Sequence, residues 1–224
     1  MSRDHSHSFK IDLHVHTYYS QDACISPKIA VKYALKKGLS GLAITDHNNT
    51  RGAQLAIKYS SRKILIIPGV EIKTKYGHLL LLNIADKDMG KRVCLTDLLD
   101  KVHENNGIVV LAHPYHSFSG LAGFNKILRY VDAIEVLNSN IPFLRRGFKK
   151  ALKLALDNSL GMTAGSDSHI PQTIGLAYLS FKEGAKSADD IIKLIKNRRG
   201  VPYGREIEFS LRIRKIAETI RRII

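Results

Sequence analysis

The segment Ile11-Asp-Leu-His-Val-His-Thr17 combines an apolar strand pattern with two histidines spaced two residues apart. Alternate residues of a β-strand share a face, so His14 and His16 point to the same side and can bind one metal ion. His5 and His7 have the same spacing, but they lie in a polar tail with no strand pattern to hold them. The pattern therefore predicts a metal site at the end of the first strand.

Six more apolar runs of strand length follow along the chain. The predicted strands are Phe9–Leu13, Gly41–Ile44, Ile64–Pro68, Leu79–Ile84, Ile108–Ala112, Ala133–Val136 and Met162–Ala164. They are rich in Ile, Leu and Val, as buried parallel strands are. Helical patterns lie between them, one beginning at Ser26-Pro27 and another at Ser187. About seven strand–helix units predict an α/β fold, either a parallel barrel or a doubly wound sheet.

Length and composition exclude several classes of protein. The 224 residues correspond to one domain, and 44% hydrophobic with 25% charged residues is typical of a globular chain. No apolar run approaches the roughly 18 residues of a membrane span, and the N-terminus lacks an apolar signal region. Two cysteines, Cys24 and Cys94, form no disulfide framework. We therefore expect reduced thiols in a cytoplasmic protein with no membrane partner.

The chain is strongly basic, since 35 Lys and Arg residues against 20 Asp and Glu residues give a formal net charge of +15. Residues 141–224 hold 17 of these basic residues and 8 of the acidic ones, so the excess is concentrated toward the C-terminus. Such a balance predicts an anionic partner, either a phosphorylated small molecule or a nucleic acid.

Residues 206–224 have the pattern of a basic amphipathic helix. The apolar stripe consists of Phe209, Ile213, Ile216, Ile220 and Ile223, and the opposite face carries Arg212, Arg214, Lys215, Arg221 and Arg222. We expect the apolar stripe to pack on the barrel and the basic face to be solvated. The alternative is a helix that binds nucleic acid or a partner protein.

Polar side chains follow the predicted strands in chain order. They are His14 and His16, Asp46 and His47, Glu71, His78 at the start of the fourth strand, His113, Glu135 and Asn138, and Asp167 and His169. Functional sites of parallel α/β folds form at the carboxyl ends of strands. Imidazole and carboxylate donors without thiolates suit Zn, Mn or Fe in a hydrolytic site. The sequence therefore predicts a metal-dependent hydrolase.

Six motifs together resemble the polymerase and histidinol phosphatase (PHP) superfamily of metal-dependent phosphoesterases. They are D-L-H-V-H-T, T-D-H-N, G-V-E-I, G-H-L-L, A-H-P and G-S-D-S-H, spread over residues 9–180. The resemblance implies a distorted (β/α)7 TIM-like barrel with up to three divalent ions. With it we divide the chain into a polar tail (1–8), a catalytic domain (9–205) and the C-terminal helix (206–224).

The resemblance also implies a ligand set for two to three ions of Zn, Mn or Fe. The first ion would be held by His14, His16, Glu71 and Asp167. The second would be held by Glu71, His78 and His113, and the third by Asp22, His47 and His169. Asp22 departs from the commoner family pattern, in which the acid directly follows Ser, because Gln21 intervenes after Ser20. A weak or absent third site would be the consequence of this offset.

Other residues are expected to support the ligands or to bind substrate. Asp12 and Asp46 adjoin ligating positions and are expected to orient histidines, as are Glu135 and Asn138. The candidates for substrate contact are His116, Arg145, Arg146 and Lys73, with Lys75 similar to Lys73.

The expected mechanism is attack on phosphorus by a metal-bridging hydroxide, held by Glu71 and Asp167, without a phosphoenzyme. The substrate would be a phosphomonoester, a nucleotide or an oligonucleotide end. One alternative is a histidinol phosphatase, whose first motif differs from that of this chain. Another is a non-enzymatic RNA-binding barrel that resembles the ribonuclease P protein subunit. The sequence leaves the oligomeric state open.

Overall fold

A computed structural model describes residues 8–84, 94–115, 124–142 and 144–223. Strands and helices alternate over most of these residues. The strands are β1 (Phe9–Val15), β2 (Gly41–Ile44), β3 (Leu65–Thr74), β4 (Gly77–Leu82), β5 (Ile108–Leu111), β6 (Ala133–Asn138), β7 (Gly161–Gly165), β8 (Ala177–Phe181) and β9 (Val201–Gly204). The helices are α1 (Pro27–Lys36), α2 (Arg51–Ile57), α3 (Leu95–Glu104), α4 (Leu144–Asp157), α5 (Ala188–Lys196) and α6 (Phe209–Ile223).

The described strands form one sheet in the order β7-β6-β5-β4-β3-β2-β1-β8-β9. Strand β2 is parallel to β1 and β3, and β6 is parallel to β5 and β7. Strand β4 is antiparallel to both of its neighbours, and β8 is antiparallel to β1 and β9. The sequence predicted the first seven strands but missed β8 and β9, and it did not predict that β4 runs antiparallel.

Main-chain hydrogen bonds between the ends of β1 and β7 bring the sheet close to a closed barrel. The amide of Asp167 donates to the carbonyl oxygen of His14 at 2.8 Å, and the amide of His16 donates to that of Ser168 at 3.0 Å. Val15 and Ser168 thereby form a parallel bridge. The expected distorted α/β barrel is confirmed, and its closure lies next to the predicted metal ligands.

Strands β3 and β4 form a hairpin in place of a strand–helix–strand unit. The two residues Lys75 and Tyr76 separate the strands, and Gly77 has a φ of 118°, which favours glycine. The register pairs Lys73 with His78. Because β4 runs antiparallel, its first residues lie at the end of the barrel where β3 ends, so His78 reaches the same edge as the other predicted ligands.

The core lies on both sides of the sheet, and β4 is buried on both faces. Leu80 and Leu82 pack in one cluster with Ile11 and Val110, inside the barrel. Leu79 and Leu81 pack in another cluster, which includes Leu99 and Val102 of α3. This two-sided burial explains why the buried part of β4, Leu79–Leu82, is an uninterrupted run of leucines.

Helices α1 and α5 begin where the sequence placed their caps. The side chain of Ser26 accepts a hydrogen bond from the amide of Ile29 at the start of α1. At the start of α5, Ser187 and Asp190 form a reciprocal capping box. Ile191, Ile192 and Ile195 of α5 are buried against the barrel.

Helix α6 faces the barrel with its polar side, so the orientation that we expected for its two faces is wrong. The stripe residues Phe209, Ile213, Ile216 and Ile220 are 78%, 53%, 60% and 50% exposed. On the inward side, Arg212 donates to the carbonyl oxygen of Asn140, and Arg222 donates to that of Ser20, at 2.9 and 2.8 Å. Hydrogen bonds to main-chain oxygens of the barrel loops therefore fix the helix, and its apolar side is left outside.

Cys24 and Cys94 are free thiols. None of the helices in the described part of the chain is long and apolar enough to cross a bilayer. Residues 1–7, which make up nearly all of the predicted polar tail, lie outside the described residues. The domain boundaries at residues 8 and 205 stay a prediction.

We expect Ser187→Ala to lower the free energy of unfolding by about 1 kcal/mol, because the amide of Asp190 loses its acceptor. Urea denaturation followed by circular dichroism measures the change. Ser187→Asp is the matched control, since an aspartate also caps a helix and should keep most of the stability. Equal losses in the two variants would contradict a role for the capping hydrogen bond.

Candidate metal centre

Nine histidine and carboxylate side chains converge at the carboxyl end of the barrel. The nine, which we call the ligand cluster, are His14, His16, Asp22, His47, Glu71, His78, His113, Asp167 and His169. They come from β1 and the loop after it, from the loop after β2, from the β3–β4 hairpin and from the loops after β5 and β7. The structure thus brings together every residue that the sequence predicted as a ligand, while their role in binding metal stays a prediction.

The first predicted set surrounds a point between β1 and β7. The Nε2 atom of His14 lies 3.1 Å from Nε2 of His16 and 3.4 Å from Oε2 of Glu71. The Nε2 atom of His16 lies 3.3 Å from the same Glu71 oxygen and 3.2 Å from Oδ1 of Asp167. Four tetrahedral ligands of one Zn²⁺ ion at its usual bond lengths are separated by roughly 3.3–3.6 Å. The spacing of these donors fits a single divalent ion.

The second predicted set gathers around the other oxygen of Glu71. Oε1 lies 2.7 Å from Nδ1 of His78 and 3.2 Å from Nε2 of His113. One carboxylate thus offers an oxygen to each of two donor sets, as a bridging ligand does. His113 has a φ of 29°, in the left-handed region, which turns its ring toward this carboxylate directly after β5.

The third predicted set includes Asp22 in spite of the one-residue offset in its motif. Oδ2 of Asp22 lies 3.0 Å from Nε2 of His169 and 3.6 Å from Nε2 of His47. Its other oxygen, Oδ1, is buried and has no hydrogen-bond partner among the described residues. A buried carboxylate oxygen without a partner is costly, and a bound cation would offset that cost. The structure therefore favours Asp22 as a ligand.

Charge within the ligand cluster is compensated by protons on imidazoles when no cation is bound. Burial opposes the charge of Glu71, but the surrounding histidines, His14 foremost, hold its pKa well below its usual range. Burial likewise opposes the charge of Asp167, but His14 and His16 hold its pKa well below its usual range. For His14, burial lowers the pKa, but Glu135, Asp167 and Glu71 raise it well above its usual value. Divalent ions would replace these protons.

Two polar residues orient the paired histidines of β1, and the sequence pointed to only one of them. Oε1 of Glu135 lies 2.9 Å from Nδ1 of His14, and its Oε2 accepts from the amide of His113 and from Asn138 Nδ2. The hydroxyl of Ser20 lies 3.1 Å from Nδ1 of His16. Contacts of this kind fix the ring orientation and tautomer of a metal-binding histidine. The sequence singled out Glu135 but not the supporting role of Ser20, a residue of the loop that also carries the predicted ligand Asp22.

Asp12 and Asp46 support loops of the site, and among the described contacts neither bonds to a histidine ring. Asp46 accepts from the amide and hydroxyl of Thr17 and from the hydroxyl of Ser20, so it reaches His16 only through Ser20. Asp12 accepts from the amide and hydroxyl of Ser166 and from the amide of Gly175. Burial raises the pKa of Asp12 to about 6, although these hydrogen bonds lower it.

The predicted substrate contacts are only partly described. His116 lies outside the described residues, and so do the side chains of Arg145 and Arg146, whose main chain is in the first turn of α4. Lys73 is exposed and pairs with His78 in the hairpin register, so it lies on the same face as Glu71 and His78. Asn140, which the sequence did not single out, donates to Oδ2 of Asp167 at 3.1 Å.

A distorted barrel with histidine and carboxylate donors gathered at its strand ends is typical of metal-dependent hydrolases. A family model described as the PHP domain matches residues 12–201. The chain therefore belongs to the PHP domain family and is a metal-dependent phosphoesterase of that family, which confirms the resemblance seen in its motifs.

The chain is also similar to individual proteins. The uncharacterized protein MJ0417 of Methanocaldococcus jannaschii is 32% identical over 191 residues, which cover 81% of this chain and 75% of that protein. The 5'-3' exoribonuclease Rnm of Escherichia coli is 38% identical over 88 residues, 36% of this chain and 30% of that protein. The crystal structure of a two-domain protein of Bacteroides vulgatus, containing a predicted PHP-like metal-dependent phosphoesterase, superposes with a TM-score of 0.74 at 21% identity. That match covers 95% of this chain and 70% of the Bacteroides chain.

We expect metal binding to release protons. Burial lowers the pKa of His47, but its contacts with Asp22 and Glu71 outweigh burial and raise the pKa to about 10. At pH 7.5 the metal-free protein therefore carries a proton on His47, which a metal ion must displace, and metal affinity should fall as the pH is lowered. Calorimetry of Zn²⁺ binding in two buffers of different ionisation enthalpy measures the number of protons released.

His47→Gln should reduce that number by about one. His103→Gln is the matched control, because His103 lies on α3 and contacts Asp132, away from the ligand cluster. Equal proton release by His47→Gln and the unaltered protein would contradict the assignment of this proton to His47.

Proposed function

We propose that this protein hydrolyses a phosphate ester, either a phosphomonoester, a nucleotide or the end of an oligonucleotide. The observation that carries the proposal is the double role of Glu71, whose two carboxylate oxygens each meet a separate set of imidazole nitrogens. Two cations that shared this carboxylate would suit a phosphoryl group, because a phosphoryl group presents several oxygens at once.

Two to three divalent ions, of Zn, Mn or Fe, would be held by the three sets described above. When bound, such ions lower the pKa of water and neutralise charge on the phosphoryl oxygens. The protein's own residues would hold this arrangement in place. Glu135 fixes the ring of His14, Ser20 fixes the ring of His16, and Asn140 fixes the carboxylate of Asp167.

Three candidate nucleophiles near the ligand cluster, Ser166, Ser168 and Cys24, have no imidazole ring bonded to their hydroxyl or thiol among the described contacts. Ser166 and Ser168 are fully buried and bonded to each other, and Ser166 also donates to Asp12. The thiol of Cys24 donates to the carbonyl oxygen of Glu218, and no histidine contacts it in the described contacts. Hydrolysis by direct attack of water, without a phosphoenzyme, is consistent with this arrangement.

An oligonucleotide end is the form of substrate that two observations favour. The similarity to the exoribonuclease Rnm extends over 88 residues. The basic excess of residues 141–224, with 17 Lys and Arg residues against 8 Asp and Glu residues, suits a polyanion. The histidinol phosphatase alternative has no comparable support. The non-enzymatic alternative is set aside because the chain keeps all nine residues of the ligand cluster and belongs to a family of hydrolases.

Glu71→Gln is expected to lower kcat at least about a thousandfold, the factor that about 4 kcal/mol of lost transition-state stabilisation represents. The measurement is hydrolysis of an aryl phosphate and of a panel of nucleotides, bisphosphates, sugar phosphates and short RNA or DNA, with Mn²⁺ added. His14→Ala combined with His16→Ala should lose metal as well as activity. His103→Ala is the control that should keep both. Full activity in Glu71→Gln, or in protein treated with a chelator, would overturn the proposal.

Salt dependence should identify the form of the substrate. If an oligonucleotide end is bound, its affinity should fall steeply between 50 and 200 mM salt, because each neutralised phosphate releases counterions. A mononucleotide should show a much shallower slope under the same conditions. Equal salt dependence of the affinity for a ten-nucleotide RNA and for a mononucleotide would exclude binding of the polymer along the basic surface.

A further inference from the structure

One end of α6 is attached to the loop that carries Asp22. Arg222 donates to the carbonyl oxygen of Ser20 at 2.8 Å and also to those of Tyr18 and Ala23. Thr219 donates to the carbonyl oxygen of Asp22 itself at 3.1 Å. The second half of the helix is therefore held directly beside the third predicted ligand set.

The other end of α6 is attached to the opposite side of the site. Nη1 of Arg212 donates to the carbonyl oxygen of Asn140, whose side-chain amide donates to Asp167. The helix thus spans the distance between the two loops that position Asp22 and Asp167, and its inward face borders the ligand cluster.

Lys215 lies on this inward face, between the two attachments. It is half-buried, although lysine is among the residues that are most rarely removed from water. The charged groups that act on its ammonium are Asp167, Asp22 and Arg212, and it forms no ion pair among the described residues. Asp167 and Asp22, two members of the ligand cluster, thus act electrostatically on the ammonium, and neither forms an ion pair with it among the described residues.

Arg212 adds a second positive charge with an unsatisfied donor. Its Nε and Nη1 donate to the carbonyl oxygens of Ile207 and Asn140, but its Nη2 is buried and has no hydrogen-bond partner among the described residues. A buried charged donor without an acceptor is destabilising. A small anion that entered between the helix and the loop would supply the missing acceptor.

Lys215 and Arg212 would repel metal ions bound to the ligand cluster unless an anion lay between the helix and the ions. Three carboxylates of the ligand cluster, Asp22, Glu71 and Asp167, would face up to three divalent ions, so the loaded site is already positive. Lys215 and Arg212 add repulsion at close range. A phosphate group between the helix and the ions would attract both, and these attractions would offset the repulsion.

We propose that α6 contributes an anion subsite to the metal centre, in which Lys215, with Arg212 beside it, binds the phosphate group of the substrate. The subsite rests on the proposed function for the identity of its ligand, a phosphate ester. It assigns to the C-terminal helix a part in substrate binding.

The test uses the full-length protein loaded with Mn²⁺ and inorganic phosphate as the probe. Calorimetry at constant ionic strength gives the Kd of phosphate, and the shift of Tm with phosphate concentration gives an independent value. Lys215→Met should weaken phosphate binding about tenfold, the factor that about 1.4 kcal/mol represents. Lys215→Arg, which keeps a cation at this position, should stay within about threefold of the unaltered protein.

Arg221→Met is the matched control. Arg221 is an exposed residue of the same helix, so this variant loses the same charge from a solvent-exposed position of the same element. It should bind phosphate within about twofold of the unaltered protein. Metal content, measured by mass spectrometry, should be unchanged or higher in Lys215→Met, because a cation that repels the metal ions has been removed.

The outcomes separate the subsite from the proposed function. Equal phosphate affinity in Lys215→Met and Arg221→Met would overturn the subsite, and so would loss of metal together with phosphate, since Lys215 would then support the fold. An unaltered protein that binds phosphate through Lys215 but hydrolyses no ester in the panel would overturn the proposed function alone.

Discussion

The carboxylate of Glu71 is buried at the centre of the barrel mouth, and a lone buried charge of this kind costs several kcal/mol unless it is compensated. Five imidazole rings approach it within 3.4 Å, those of His14, His16, His47, His78 and His113. These rings come from β1, β4 and the loops after β2 and β5, so the carboxylate can be satisfied only when these strands are correctly aligned. Compensation of the buried Glu71 charge therefore requires a correctly assembled barrel.

Closure of the barrel adds the remaining ligands to this centre. The main-chain bonds between β1 and the loop after β7 place Asp167 and His169 beside His16. Asp12 stabilises this junction, since its buried carboxylate accepts hydrogen bonds from the amides of Ser166 and Gly175. Because the pKa of Asp12 is higher in the folded protein than in the unfolded chain, the protonated form of Asp12 stabilises the folded state. Its contribution to stability is therefore complete at low pH and decreases as the pH rises through about 6.

Much of the ligand cluster could be predicted from the sequence because most of its members directly follow or begin an apolar run, and strand ends meet at one edge of a barrel. Asp22 lies in the loop after β1 and was predicted only through the family resemblance. Strand β9 could not, since it is short, exposed and contains Pro202, as an edge strand can. The orientation of α6 was predicted wrongly because an amphipathic pattern defines two faces but not the surface that each one meets. Here that surface consists of main-chain carbonyl oxygens, for which Arg222 and Arg212 are better partners than isoleucine. The contact of Ser20 with His16 also depends on a loop path that no periodicity reveals.

The β3–β4 hairpin has a consequence for how the chain tolerates changes in length. Glu71, Lys73 and His78 share one face only because two residues separate the strands, with Lys73 opposite His78. A single inserted residue in this turn that shifted the register by one would place Gly77 or Leu79 in the position of His78 and turn the imidazole outward. Surface turns usually accept insertions, but this one acts as a spacer of fixed length between two donors to the same carboxylate. Natural variants of this fold should therefore vary in length elsewhere and keep this turn constant.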